Sequence, residues 1–201
     1  MARGGGARGT ADRGERILRA ALEVMAERGY AAATVRDITD RAGVAAGTFY
    51  LYYPAKEAVG LALVDALYRA ALAAAASARR GAPSPEEKLM RSMRAVLAVF
   101  ARDPALSRFV LLLAPGAHPA FDERLREVHE ALCTLVRDDV AEILGGRGDG
   151  RSADLASQAV VGAVGEVVTS WVRQGAPAGG LDDAAEVLSR LFGRGLGGLV
   201  P

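Results

Sequence analysis

Three helix stops, Gly29, Gly43 and Pro54, crowd into one short part of the chain. Between them lie "TVRDITDRA" and "VAAGTFYLYY", each with room for about two turns of helix. Glycine is favoured just past a helix C-terminus, where the backbone turns left-handed. Proline disfavours helix in the residue before it and fits the first turn of the next. Thr34 and Asp37 have the spacing of a capping box, in which the hydroxyl and the carboxylate each take up an orphan amide. Asp is less usual than Glu or Gln at that third position. Val35, Ile38 and Ala42 point one way on the helix so started. A second short helix, about Ala45 to Tyr53, follows the Gly43 turn. A chain punctuated like this builds a pair of short crossed helices and cannot build long ones there.

The rest reads as helix too. Ile17, Leu18, Ala21, Leu22 and Met25 form an apolar stripe between about Asp12 and Arg28, and Val59, Ala62, Leu63, Ala66 and Leu67 form another between about Ala55 and Arg79. "RRGAPSP" is the clearest boundary. Beyond it five further helical stretches cover roughly 85–102, 105–113, 119–144, 152–174 and 181–193, separated by "RDPA", "APGAHP", "GGRGDG" and "QGAPAGG". No period-two pattern occurs, and aromatics are 5% of a chain that is 51% hydrophobic, so the core rests on Ala, Leu and Val. The expected fold class is all-α with about nine helices. The expected division is a disordered basic arm at 1–11, a three-helix unit at 12–54, a connecting helix at 55–80 and a helical domain at 81–201. The tail "GRGLGGLVP" is expected to fray. A single cysteine, Cys133, excludes an internal disulfide. The N-terminus has no apolar signal region, and "AALAAAASA" and "FVLLLA" are too short to span a bilayer, so a cytoplasmic location is expected.

Residues 1–80 carry 12 Lys+Arg against 8 Asp+Glu, while the remainder carries 13 against 16. A mildly basic front half points to a polyanion partner for it. In a helix-turn-helix the second helix enters the DNA major groove with its N-terminal residues toward base edges. Ala45, Ala46 and Gly47 would let backbone approach closely, and Thr48 offers a hydroxyl and a methyl. Phe49 and Tyr53, four apart, pack inward as anchors. Tyr50 and Tyr52 lie on other faces, where a phenol can bond phosphate or cover a thymine methyl. Lys56 and the amides of the next helix could share one phosphate. The basic arm (Arg3, Arg8, Arg13) could also reach DNA.

"GYAAATVRDITDRAGVAAGTFYLYYPAKEAV" resembles the DNA-binding domain of TetR-family transcriptional regulators, over about residues 13–60. The likeness includes Gly29-Tyr30, Thr34-Val35-Arg36, Ala42-Gly43-Val44, Gly47-Thr48, Tyr50 and Lys56-Glu57. It implies DNA contacts from Thr34, Arg36, Ala46, Gly47, Thr48, Tyr50, Tyr52 and Lys56. The family often has Ser where Ala45 stands, which removes a capping hydroxyl worth about 1 kcal/mol. The resemblance also implies a back domain that dimerises and binds a small molecule, and a pseudo-palindromic double-stranded DNA operator.

Residues 81–201 show no catalytic set and no Gly-rich phosphate loop. His118, Asp122 and His129 do not have metal-ligand spacing, and Cys133 reads as a small buried hydrophobe, so neither metal nor cofactor nor enzymatic activity is expected. Apolar excess suggests a cavity, with Met93, Leu97, Phe100, Phe109, Leu113, Phe121, Val128 and Trp171 as candidate ligand-binding residues. Ala156, Ala159 and Ala163, with Leu181, Ala185, Leu188 and Phe192, are the candidate homodimer interface. The reading that follows is a repressor released from its operator by a small apolar effector. An activator, an effector-independent regulator and a small-molecule carrier retaining a helix-turn-helix are the alternatives.

Overall fold

A computed structural model describes residues 5–145 and 150–195. Among them are nine α-helices and no strand: α1 (Gly5–Ala32), α2 (Val35–Ala42), α3 (Ala46–Tyr52), α4 (Lys56–Ala78), α5 (Pro85–Arg102), α6 (Pro104–Arg108), α7 (Pro119–Ile143), α8 (Gly150–Arg173) and α9 (Gly180–Gly195). A π-helical turn, Phe109–Leu113, follows α6 directly. The fold is all-α, as expected. Helix α1 begins at Gly5 and not at Asp12, so most of the expected disordered arm is helical backbone. Residues 1–4, and the end of the tail from 196, lie outside the described residues.

The chain divides into two compact units. One joins Met1–Ala66 to Arg108–Arg124, and the other joins Leu67–Ser107 to Leu125–Pro201. This departs from the sequence reading, which placed the boundary at "RRGAPSP" and gave everything after residue 80 to the back domain. Aromatic packing is the reason. Phe121 is fully buried and stands edge-on to Tyr30 at 4.8 Å and to Phe109 at 6.4 Å. Its ring lies where a side chain on Gly60 would have to be, 2.4 Å from the position of an added Cβ. The segment 108–124 therefore completes the core of the first unit.

Within that unit the turn chemistry is what the sequence spells. Thr34 and Asp37 form the complete capping box, and Gly43 closes α2 at φ 63°. Gly29 interrupts α1 at φ 77°, the position marked as its stop. Ala45 precedes α3 with no side-chain cap. Arg41 of α2 reaches Glu23 (3.2 Å) and Glu27 (2.8 Å) on α1, and Arg16 of α1 donates to the Ala42 carbonyl (2.5 Å). The hydrogen bond from Arg41 holds the Glu27 carboxyl below the usual carboxylate range.

In the second unit, Ser84 caps α5 by accepting from Glu87 N–H. Buried Asp139 is met by Arg79 and, at 3.7 Å, by Lys88. Arg79 also donates to the Leu135 carbonyl, so the buried carboxylate and its main partner are both satisfied. Helix α9 packs on α5 and α8. By length and composition α4 and α8, with mean hydropathy 1.6 and 1.3, are each apolar enough to cross a membrane, which corrects the reading that no stretch is. Much of that apolar content serves as protein core: Val59, Leu63, Val64, Leu67, Ala71 and Ala75 of α4 are buried, as are Val160, Val164 and Val168 of α8.

Replacing Gly60 by Ala tests the aromatic junction. The new methyl meets a ring with no exposed side to move toward, so unfolding free energy should fall by about 1–3 kcal/mol, read from urea titration. An unchanged midpoint would show that Phe121 repacks without cost.

Candidate nucleic-acid interface

Helix α3 presents two unlike sides. Phe49 is fully buried and stacks edge-on with Tyr50 (5.4 Å) and tilted against Tyr53 (5.9 Å). Burial pushes the Tyr53 phenol up from its ordinary pKa. These two anchors are the ones the four-residue spacing selects. The other side carries Ala46, Gly47, Tyr50 and Leu51, all exposed, with Thr48 half-buried at its edge. Gly47 has no atom within 4 Å of where a Cβ would stand, and its backbone lies outside the left-handed region. The fold itself therefore gives no reason for glycine at this position. Leu51, 84% exposed, was missed by the sequence reading, although its place one turn after Gly47 could have marked it.

Four of the remaining candidates are placed differently from one another. Arg36 extends into solvent, with its Nε 3.8 Å from Asp40. Thr34 is exposed, but its hydroxyl donates to Asp37 Oδ2 at 2.6 Å and its N–H to the same oxygen at 3.1 Å. Both of its donors are thus taken by the capping box that the sequence spacing predicts. Tyr52 is half-buried, its ring 3.2 Å from the Cβ position of Gly14 on α1, so it packs against that helix and not on the outward face.

Lys56 is engaged by the protein itself. Its Nζ donates to the carbonyls of Tyr30 (2.6 Å) and Ala33 (2.8 Å), and it lies 4.3 Å from the centroid of the Tyr30 ring. The ammonium turns inward to close the frayed end of α1, where Gly29 has left carbonyls without helical partners. Burial, then the charge of Glu57, raises the Tyr30 phenol pKa. His118 stands beside the same cluster, 3.6 Å from Glu57 and edge-on to Tyr30.

The ligand candidates separate between the units. Phe109, Leu113 and Phe121 belong to the first unit, and the two phenylalanines are fully buried in its core. Trp171 is buried with its indole N–H donating to the Pro177 carbonyl (2.9 Å), so it fastens the α8–α9 connection. Met93, Leu97, Phe100 and Val128 are buried in the second unit. Tyr68, absent from the candidates, stands edge-on to Phe100, and burial pushes its phenol up to about 12. An open groove of about 490 Å³ between α5 and α9 is lined by Leu97, Ala101, Leu181 and Ala185, with Arg94 and Glu186 beside them. Cys133 is half-buried, not buried, with Sγ 3.6 Å from His129 Nε2; burial and Glu130 raise its pKa.

The dimer candidates are also sorted by burial. Leu181 and Leu188 are buried within the chain, and Ala185 faces the α5 groove, so these three do not form an outer face. Ala156, Ala163 and Phe192 are half-buried, and Ala159 is exposed. The exposed apolar residues here are Leu155 on α8 and Val187 and Leu191 on α9, with Ala159 and Gly162 on the same side of α8 as Leu155. The sequence candidates and the exposed apolar residues thus share α8 and α9 but lie mostly on different sides of them.

Lys56→Gln separates the two roles. With two carbonyls left short of a charged donor, the protein should lose about 1–3 kcal/mol of unfolding free energy. The salt dependence of DNA binding should keep its slope. A phosphate contact would do the reverse, leaving stability alone and lowering the slope by about one per half-site.

Residues 17–63 match the family described as bacterial regulatory proteins, tetR family. The chain is 45% identical over 58 residues to the HTH-type transcriptional regulator YvdT of Bacillus subtilis, a match spanning 29% of this chain and 30% of that protein. It is 27% identical over 158 residues to the fatty acid metabolism regulator protein of Bacillus subtilis, spanning 78% of this chain and 81% of that protein. Among solved structures, the fatty acid degradation regulator FadR of Bacillus halodurans superposes with a TM-score of 0.78 at 28% identity, over 99% of this chain and 98% of that one. FadR of Bacillus subtilis in complex with stearoyl-CoA superposes with a TM-score of 0.76 at 24% identity, over 90% and 98% of the two chains. Helix-turn-helix geometry and the matched segment agree: residues 17–63 form a DNA-binding domain of the tetR family of bacterial regulatory proteins, and the likeness along the rest of the chain gives it the fold of such regulators.

Proposed function

We propose that this DNA-binding regulator is a dimeric cytoplasmic repressor that leaves its operator when a small apolar effector binds the second unit. The observation that carries the DNA half is the outward face of α3. Ala46 and Gly47 leave its backbone bare, Tyr50 and Thr48 flank it, and Phe49 fixes it from behind. Arg36 adds an adjacent cation for the phosphate backbone. Tyr52, Thr34 and Lys56 position the motif and do not touch DNA.

The effector half rests on chemistry and kinship. Met93, Leu97, Phe100, Val128 and Tyr68 give the second unit an apolar interior with one phenol. Two relatives are named for fatty acid control and one solved relative holds stearoyl-CoA, so long-chain fatty acids and their coenzyme A thioesters are the first class of effector to test. Helices α4 and α7 run unbroken through the division between units, which makes them the natural levers. DNA and effector affinities would then change reciprocally, typically by 1–3 kcal/mol of coupling.

Fluorescence anisotropy with duplex DNA from upstream of its own gene, in excess non-specific DNA, tests the reading. Gly47→Ala is the informative variant. Nothing in the fold opposes the methyl, and alanine favours helix by up to about 1 kcal/mol, so stability should hold or rise. Operator affinity should nonetheless fall at least tenfold, as it should for Tyr50→Ala. A Gly47→Ala protein that binds as tightly as the parent would remove α3 from the groove, and stearoyl-CoA without effect on operator affinity would remove this effector class.

The dimer has its own test. Val187→Glu places a charge on the outer face of α9 and should yield monomers in sedimentation velocity with the fold intact. Persistence of the dimer would place the interface elsewhere.

A further inference from the structure

We infer that Leu51 is a specificity-determining residue that reads a thymine methyl in each half of the operator. This rests on the reading of α3 as the recognition helix. Leu51 is 84% exposed, the highest among the exposed large apolar residues described. The others, Tyr50 apart, are Leu155, Val187 and Leu191, all on α8 and α9. In the first unit every other large aliphatic side chain described is at least partly covered. A leucine left bare on a helix this short has no role in the unit's own core.

Its direction is fixed by the helix. Successive residues turn by about 100°, so Leu51 lies about 200° round from Phe49, which is fully buried. Gly47 lies four residues earlier on the same outward stripe, about 40° away, with nothing within 4 Å of its Cβ position. The bare backbone at Gly47 lets the helix sink toward the groove floor, and Leu51 then enters one turn farther along.

Chemistry narrows the target. Leucine neither donates nor accepts a hydrogen bond, so it gains nothing from phosphate or from the polar base edges. The one apolar group that base pairs show in the major groove is the C5 methyl of thymine. Tyr50, next to Leu51, has a hydroxyl as well as a ring and can serve the backbone or a base edge.

The test uses the full-length protein. Duplexes that it retains from a random-sequence pool define a half-site, and each thymine is then replaced by deoxyuridine in both halves. One position should lose about 3- to 10-fold per half-site, the worth of one buried methyl contact. Leu51→Ala should lose as much on the intact duplex and then ignore deoxyuridine at that position. Tyr50→Phe should keep the sensitivity. Deoxyuridine tolerated at every position overturns the proposal. So does a sensitivity that survives in Leu51→Ala and disappears in Tyr50→Phe. A pool that yields no enriched sequence overturns the DNA-recognition reading itself, whereas enrichment without methyl dependence overturns only the role of Leu51.

Discussion

The ammonium of Lys56 holds the first unit together at its least regular point. Gly29 breaks the helical geometry of α1, and the carbonyls that follow lose their usual partners. Lys56, the first residue of α4, supplies donors to two of them and sits on the Tyr30 ring. That ring meets Phe121 edge-on, and Phe121 fits only because Gly60 has no side chain. One cation thus links the end of α1 and the start of α4 to the aromatic junction brought by residues 108–124. Helix α3 is placed by the same frame: it lies between α2 and the start of α4 in the chain, with Phe49 in the core and Tyr52 against Gly14.

The sequence exposed its local grammar plainly. Glycines at 29 and 43, the Thr34–Asp37 box and Pro54 mark turns whose causes are short-range, and each turn is where they place it. Helix bounds farther along fall within a few residues of the periodicity. What could not be read was the partner of each polar group. Lys56 in a first helical turn looks the same whether it faces a phosphate or two carbonyls, because the carbonyls come from residues more than twenty positions earlier. Thr34 differs: its partner Asp37 is three residues away, so the spacing alone marks the capping box that the structure forms.

Most of the ligand candidates and two of the dimer candidates, Leu181 and Leu188, are buried, for a related reason. Apolarity with helical spacing identifies a face that avoids water without naming what covers it. Phe109 and Phe121 are covered by the DNA-binding unit, Trp171 by its own loop, and Leu181 and Leu188 by neighbouring helices. The residues left uncovered, Leu155, Val187 and Leu191, are the ones a sequence stripe passes over, because they sit on the weaker apolar side of their helices.

Two helical glycines show how far the structure goes beyond the pattern. Both cost helix propensity, and the sequence marks only Gly47, by its place at the start of the second short helix. At Gly60 the missing Cβ is demanded by Phe121, so the explanation lies wholly inside the protein. At Gly47 no atom of the described residues claims the space. A residue that weakens a seven-residue helix and receives nothing from the fold in return is explained by something outside it. The same holds for Leu51 one turn on, which exposes to water an apolar surface that none of the described residues buries. An absent side chain and a bare one, one helical turn apart, describe a surface shaped for close approach to an edge that carries methyl groups.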